Sequence, residues 1–322
     1  MKKIVTGLLV LMFFLVSFSC LNAAYVNIDN LDIDSSEKNY VKIKQLLLFV
    51  QNNSDNNKKN EFAKEAISLS TKKSTKAEIY YFVSTIKEWT VLDEFKDKTK
   101  TRISPEVCDL QGAMENIDKA ISLNKKQAKY YEQKAEIYRN KKDFQNAITF
   151  YDKAIELNPN NSKCFYERAV CKYLIKKNED AINDLSSALK IEEKPEYYSY
   201  KSYYEKLIGK KNEALADIEK AIEISGEDDP NYCVYIRRRA ELKYELGLDL
   251  KDILKDIDVV IDGEKLNTNN LYWAYSLKGK ILESQKEYKE AVEAYKKSLE
   301  FAENKGVLGY KIKFLEEKIN NK

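Results

Sequence analysis

The sequence contains no histidine. That removes Ser-His-Asp and Cys-His catalysis, histidine-bearing zinc sites and histidine-based pH switching together. Nine glycines and four prolines are few for 322 residues, and a chain so poor in turn residues and so rich in Lys, Glu, Leu and Ala favours helix. An excess of one charge is missing too. The 55 basic residues face 52 acidic ones, a formal +3, without the basic surplus of a nucleic-acid-binding domain. A mean hydropathy of -0.58 describes helices whose outer faces are solvated by mixed charge. Phosphate loops are absent: Gly209-Lys210 and Gly279-Lys280 lack the upstream glycine, and Tyr204 and Ala274 stand in its place. Ser84-Thr85-Ile86-Lys87 fits S-x-x-K, a match that a Lys-rich chain produces by chance. No catalytic residue is assigned, the chain is read as a non-enzyme, and neither cofactor nor metal is expected.

The amino terminus differs from the rest. MKKIVTGLLVLMFFLVSFSCLNAAYVNID begins with Lys2 and Lys3, continues in an apolar core from Ile4 to Val16 and ends in smaller residues up to Ala23 and Ala24. Those are the three parts of a secretory signal. Residues 1–24 are therefore expected to direct export to the periplasm or cell envelope, with a mature chain beginning near Tyr25. Ile4 to Leu21 is also a stretch of 18 largely apolar residues, at the lower limit for a membrane span, so an uncleaved anchor is the alternative. Val16-Ser17-Phe18-Ser19-Cys20 loosely resembles a lipoprotein signal: Ser19 suits it, whereas Ser17 and the bulky Phe18 do not. Cys20 is thus a candidate lipidation site. Of the later cysteines, Cys164 and Cys171 on one helix would stand about 10 Å apart, beyond disulfide reach, and are expected as buried apolar residues. Cys108 with another cysteine stays open as a bridge in an exported protein.

From Leu110 onward the chain repeats itself. AKYYEQKAEIYRNKKDFQNAITFYDKAIELNPNN, from Ala128 to Asn161, holds two helical patterns around a polar turn at Asn140 to Asp143. Thirty-four residues after Ala135, Ala147 and Ala154 stand Ala169, Ala181 and Ala188; thirty-four before Ala147 and Ala154 stand Ala113 and Ala120. The next unit shifts by 33 and aligns Ser202, Ala214 and Ala221. Two longer units follow, with Ala240, Ile253, Ile257 and Val260, then Gly279, Ala291, Tyr295 and Ser298. Small residues at these places let two helix axes approach, while Tyr131, Tyr138 and Tyr151 fill the surrounding space. Each hairpin still exposes an apolar face that only the next hairpin covers. Pro159, Pro195 and Pro230 fall between units, and Pro105 precedes the helix of Gln111 to Leu123.

In the Ala128 unit, Tyr131, Ala135, Tyr138, Ala147, Tyr151, Ala154 and Pro159 resemble the tetratricopeptide repeat, with Lys134 in place of Leu. The Ser162 unit is similar through Phe165, Ala169, Ala181, Leu185 and Ala188. The unit from Cys233 departs most, since Ile253 and Val260 stand where small residues belong, and its hairpin is expected to be looser. The resemblance, in what the leader marks as an exported bacterial protein, implies an all-α fold: a right-handed α-solenoid of stacked helical hairpins. Repeats would span 110–304, and 305–322 would form a capping helix carrying Leu308, Ile312, Leu315 and Ile319. Residues 25–109 read as an irregular helical region. It would hold a degenerate hairpin, Asn39 to Gln51 and Asn60 to Leu69, then a first helix from Glu78 to Trp89 split from its partner by the insertion Thr90 to Ser104.

In this family the first helices line a concave surface. The resemblance therefore implies that Tyr166, Tyr173, Tyr200, Tyr203, Arg237, Arg238, Tyr244, Trp273 and Lys280 face a groove that binds a protein or peptide partner, with no nucleic acid and no membrane contact beyond a lipid anchor or an uncleaved leader. Aromatic rings with a polar end and arginine forks are enriched where proteins meet; a plain tyrosine-rich surface is the alternative. Glu132 and Glu136 stand where relatives that clamp acidic carboxyl-terminal peptides need Lys and Asn, which argues against that particular specificity. Two other readings stay open: a lipid-anchored subunit of an envelope assembly complex, and an enzyme or ligand receptor in residues 25–104.

Overall fold

The computed structural model describes residues 28–53, 55–88, 109–263, 268–301 and 306–320. The leader, Cys20, Cys108 and the insertion Thr90 to Ser104 lie outside the described residues. The described elements are one 3-10 turn, Ile28–Asn30, and fifteen α-helices, and the chain divides into two compact units, 1–175 and 176–322.

The first unit contains α1 (Tyr40–Asn52), α2 (Asn56–Leu69), α3 (Lys73–Glu88), α4 (Leu110–Leu123), α5 (Ala128–Asn140), α6 (Phe144–Leu157) and α7 (Ser162–Leu174). The second contains α8 (Asn178–Ile191), α9 (Pro195–Leu207), α10 (Lys211–Ser225), α11 (Tyr232–Glu245), α12 (Leu250–Gly263), α13 (Thr268–Ser284), α14 (Tyr288–Glu300) and α15 (Gly306–Asn320). Consecutive helices pack in pairs within each unit, α3 with α4 and α5 with α6 in the first, α9 with α10 and α13 with α14 in the second. This is the pairing of an all-α solenoid. The α11–α12 pair makes fewer close approaches than the hairpins on either side of it. Its core includes the branched side chains of Ile253, Ile257 and Val260, all fully buried, where the Ala128 unit has Ala147, Tyr151 and Ala154.

The turns explain why the repeat is regular. Lys142, Gly209, Gly247 and Lys286 each adopt the left-handed conformation, with φ of 61, 84, 70 and 65°. One residue further on, the backbone N–H of Asp143, Lys210, Leu248 and Glu287 donates to the carbonyl of Tyr138, Glu205, Lys243 and Leu282 at 2.9 to 3.0 Å. The result is the same helix-ending cap in four hairpins.

Close approach then depends on the residue at the helix contact. Ala135, Ala147 and Ala154 are fully buried. Where serine replaces alanine, its hydroxyl is satisfied on a neighbouring helix: Ser84 Oγ donates to the Ala113 carbonyl at 2.8 Å, Ser202 Oγ to Ala214 at 2.6 Å and Ser298 Oγ to Tyr272 at 2.8 Å. At Gly279 a Cβ would come within 2.6 Å of the Tyr295 ring. That ring is fully buried, and its hydroxyl donates to Glu283 Oε2 at 2.8 Å.

Helix boundaries in the amino-terminal region lie further out than the hydrophobic pattern suggests. The second helix begins at Asn56 rather than Asn60, because the Asp55 carboxylate accepts from the N–H of Asn57 and Lys58. The third begins at Lys73 rather than Glu78. Buried Glu37 lies at its amino end and accepts from Thr71 Oγ1 at 2.7 Å, Lys72 N at 2.8 Å and Ser70 Oγ at 3.1 Å. Burial works against its charge, yet these bonds hold its pKa down at about 2.

The carboxyl-terminal helix buries Ile312 and Leu315 against Ala291, Val292 and Tyr295 of α14, with Leu308 and Ile319 packed alongside. Cys164 and Cys171 are fully buried free thiols.

Candidate functional site

Two of the nine expected groove residues, Tyr166 and Tyr173, lie half-buried on α7 of the first unit. The other seven are on the first helices of the second unit: Tyr200 and Tyr203 on α9, Arg237, Arg238 and Tyr244 on α11, Trp273 and Lys280 on α13.

In the second unit the side chains of three consecutive first helices meet. Arg238 Nη1 donates to the Ser199 carbonyl at 2.7 Å and to Ser199 Oγ at 2.6 Å. Its guanidinium stands 5.3 Å from the Tyr203 ring and 5.7 Å from Tyr200. Arg238 therefore ties α11 to α9 and holds both tyrosines by cation–π contact. Arg237, one residue earlier, points its guanidinium over the Trp273 indole at 5.4 Å, joining α11 to α13. Burial lowers the pKa of both guanidinium groups, and their mutual proximity adds to this at Arg237. An arginine nonetheless stays charged at any physiological pH.

Beside Trp273 a pocket of about 160 Å³ is lined by Glu241, Tyr244, Glu245, Ser276, Leu277 and Lys280. Its two carboxylates are already engaged. Lys206 pairs with Glu241 at 3.1 Å and Glu245 at 2.9 Å, and Lys211 reaches Glu245 at 3.0 Å. These contacts lower the pKa of Glu245 against the effect of burial. Lys280 is exposed at the edge. The surface thus combines a planar cation, aromatic walls, an apolar floor at Leu277 and a basic rim, which suits a peptide better than a small polar metabolite.

The corresponding helices of the first unit are closed by their own charges. Lys163 on α7 bridges Glu132 Oε1 at 2.9 Å and Glu136 Oε1 at 2.7 Å on α5. Asn161 Nδ2 donates to Glu132 Oε2 at 3.0 Å, and Arg139 faces Glu167 at 3.5 Å. Deeper, Glu78 is 1% exposed. It accepts from the Tyr130 hydroxyl, from Lys129 Nζ at 2.8 Å and from Asp32 N at 3.1 Å. Ser84 is fully buried and donates to a carbonyl, and Lys87 pairs with Asp109 at 2.7 Å; the S-x-x-K residues serve packing and a helix end. Among the described residues no group of three His, Cys, Asp or Glu is placed to hold a metal, and no helix is long and apolar enough to cross a membrane.

Sequence reasoning missed Ser199, Ser276 and Leu277, and the Lys206–Glu241–Glu245–Lys211 chain. A usable signal existed: Trp273, Ser276, Leu277 and Lys280 follow the 3–4 spacing of one helix face, and so do Glu241 and Glu245. Nothing in the sequence tells which lysine on a neighbouring helix neutralises them.

Tetratricopeptide-repeat profiles match residues 128–161 and 274–305, and a second profile of the same description matches 150–183. No curated protein matches the chain. Among solved structures, the carboxyl-terminal part of a TPR repeat-containing protein from Cytophaga hutchinsonii superposes with a TM-score of 0.58 at 15% identity, covering 82% of this chain and 96% of its own. A tetratricopeptide repeat protein from Parabacteroides merdae gives a TM-score of 0.52 at 20% identity, covering 85% and 97%. YrrB, described as a TPR protein with an unusual peptide-binding site, gives 0.51 at 19% identity, covering 62% and 98%. At such identities the likeness concerns the fold.

Proposed function

We propose, from the premise that this chain is a tetratricopeptide-repeat protein, that its interaction scaffold captures a peptide segment of a partner protein on the first-helix face of the second unit. Repeat proteins of this kind bind through side chains displayed on a fixed backbone, so the site rather than the fold carries specificity. The observation that carries the reading is the row Tyr200, Tyr203, Arg238, Arg237, Trp273, in which cations and rings on three helices are already preorganised against one another. Preorganisation lowers the ordering cost of binding. YrrB, a structural neighbour, is described as having a peptide-binding site, which agrees with the proposal.

The test is selection of peptide binders on the full chain, followed by the double variant Arg237→Glu with Tyr203→Ala. The reading expects loss of at least thirtyfold in affinity with the helical circular dichroism retained. Unchanged affinity would remove the groove assignment.

Export is part of the same proposal. Lys2, Lys3 and the apolar run after them support delivery to the cell envelope. Mass spectrometry of the mature amino terminus tests it: an unmodified start at Ala24 or Tyr25 supports a cleaved secretory leader, a lipid-modified Cys20 supports the anchored form, and an intact Met1 would count against export by cleavage.

A further inference from the structure

Most basic side chains on the first helices of the second unit have an acidic partner within the unit. Lys201 pairs with Glu205 at 2.8 Å, Arg239 with Asp256 at 2.5 Å, Lys243 with Asp252 at 3.1 Å and Lys278 with Asp258 at 2.8 Å. Arg238 is satisfied by Ser199. Arg237 differs: unlike the exposed Lys280 it is half-buried, yet among the described residues it makes neither an ion pair nor a hydrogen bond, and its Nε is shut away from solvent without an acceptor. Its contact is the indole of Trp273. The nearest carboxylate that influences it, Glu241, is already held by Lys206.

The buried Nε is a fixed cost of the fold, but the two outer nitrogens, which bond to none of the described residues, can still gain an acceptor from a ligand. A carboxylate serves best, since its two oxygens match the arginine fork. The recognition face continues on both sides of Arg237, toward Tyr203 and Tyr200 through Arg238 and toward Tyr244 and Lys280 through the pocket at Trp273. A ligand chain that passes along such a face offers a side chain at its middle, not its end.

We propose that Arg237 anchors one acidic side chain of the bound peptide, so that the ligand class is an extended segment carrying a Glu or Asp opposite Trp273. The proposal rests on the peptide-binding reading above. The acid meets the two outer nitrogens of Arg237, the indole backs the guanidinium, and Lys280 adds positive potential from the rim. A segment dense in acids is disfavoured, because Glu241 and Glu245 line the adjoining pocket.

The probe is a randomised library of acetylated, amidated dodecapeptides selected on the full-length protein, with the best binder resynthesised with each Glu or Asp changed to Gln or Asn. One such change is expected to cost at least tenfold in affinity on the native protein but less than twofold on the Arg237→Gln variant, and Arg237→Lys should recover part of the loss. Acid-to-amide changes that all stay within twofold on the native protein would overturn the proposal. So would a free carboxyl terminus that binds tenfold better than the amide and loses that advantage in Arg237→Gln, which would make the chain end the anchor. Tyr203→Ala separates the two levels. If it weakens a binder that ignores acid-to-amide changes, only the acidic anchor fails; if Tyr203→Ala and Arg237→Gln both leave affinity unchanged, the groove reading fails with it.

Discussion

The first helices of the two units use the same residue types for opposite ends. In the first unit, Lys163 spends its charge on Glu132 and Glu136, and Arg139 faces Glu167. In the second, Arg237 has an indole for its neighbour and, among the described residues, no carboxylate paired with it. A closed charge network adds rigidity and leaves little for a ligand to gain, because any incoming group must compete with a partner already in place. An open cation backed by rings offers a gain that the folded chain has not realised. Substitutions in the first face should therefore act on stability, and substitutions in the second on binding.

The largest effect is expected from Glu78→Ala. It removes a buried acceptor shared by Tyr130, Lys129 and the Asp32 amide, and loss of one partner in a buried network costs about 3 kcal/mol. Urea denaturation followed by circular dichroism should show the lower midpoint, with peptide affinity in native buffer unchanged. Gly279→Ala comes next, at about 2 kcal/mol, because its Cβ would collide with the Tyr295 ring. This change sharpens the comparison, since it disturbs the α13 scaffold under Trp273 and should weaken both stability and binding.

A smaller and pH-dependent effect belongs to Glu205 on α9. Burial first, and then the neighbouring Asp217 carboxylate, push its pKa up to about 7, with Lys201 opposing. Unfolded glutamate titrates near 4.5, so between these values the folded chain binds more protons than the unfolded one. Stability must then fall as pH rises through that window. Glu205→Gln should match the native protein near pH 4 and be the more stable of the two above pH 7. Thermal melts across pH 4 to 8 read this directly.

Least is expected from Lys163→Gln, about 1 kcal/mol or less, because that lysine is half-exposed. Its value lies in the contrast: it should lower the melting temperature slightly and leave affinity alone.

How much of this was legible in the sequence follows from which forces are local. Alanine and serine at fixed spacing report helix–helix distance, so the hairpins could be read from Ala135, Ala147 and Ala154 alone, and the carboxyl-terminal helix from Leu308, Ile312, Leu315 and Ile319. The starts of α2 and α3 could not, because they depend on Asp55 and Glu37, side chains outside the hydrophobic pattern. The face of the second unit was partly legible: residue types and helix face were visible, pairing was not. That Arg238 is satisfied by Ser199 while Arg237 is left without an acceptor depends on where neighbouring helices place a carbonyl and an indole, and adjacent arginines look alike in one dimension.

Hydrogen exchange of the full chain with and without a selected peptide tests the central contrast most directly. The account predicts added protection along α9, α11 and α13, greatest around Arg237 and Trp273, and none on α5 and α7. Protection confined to α5 and α7, with α11 and α13 exchanging as in the free protein, would contradict it.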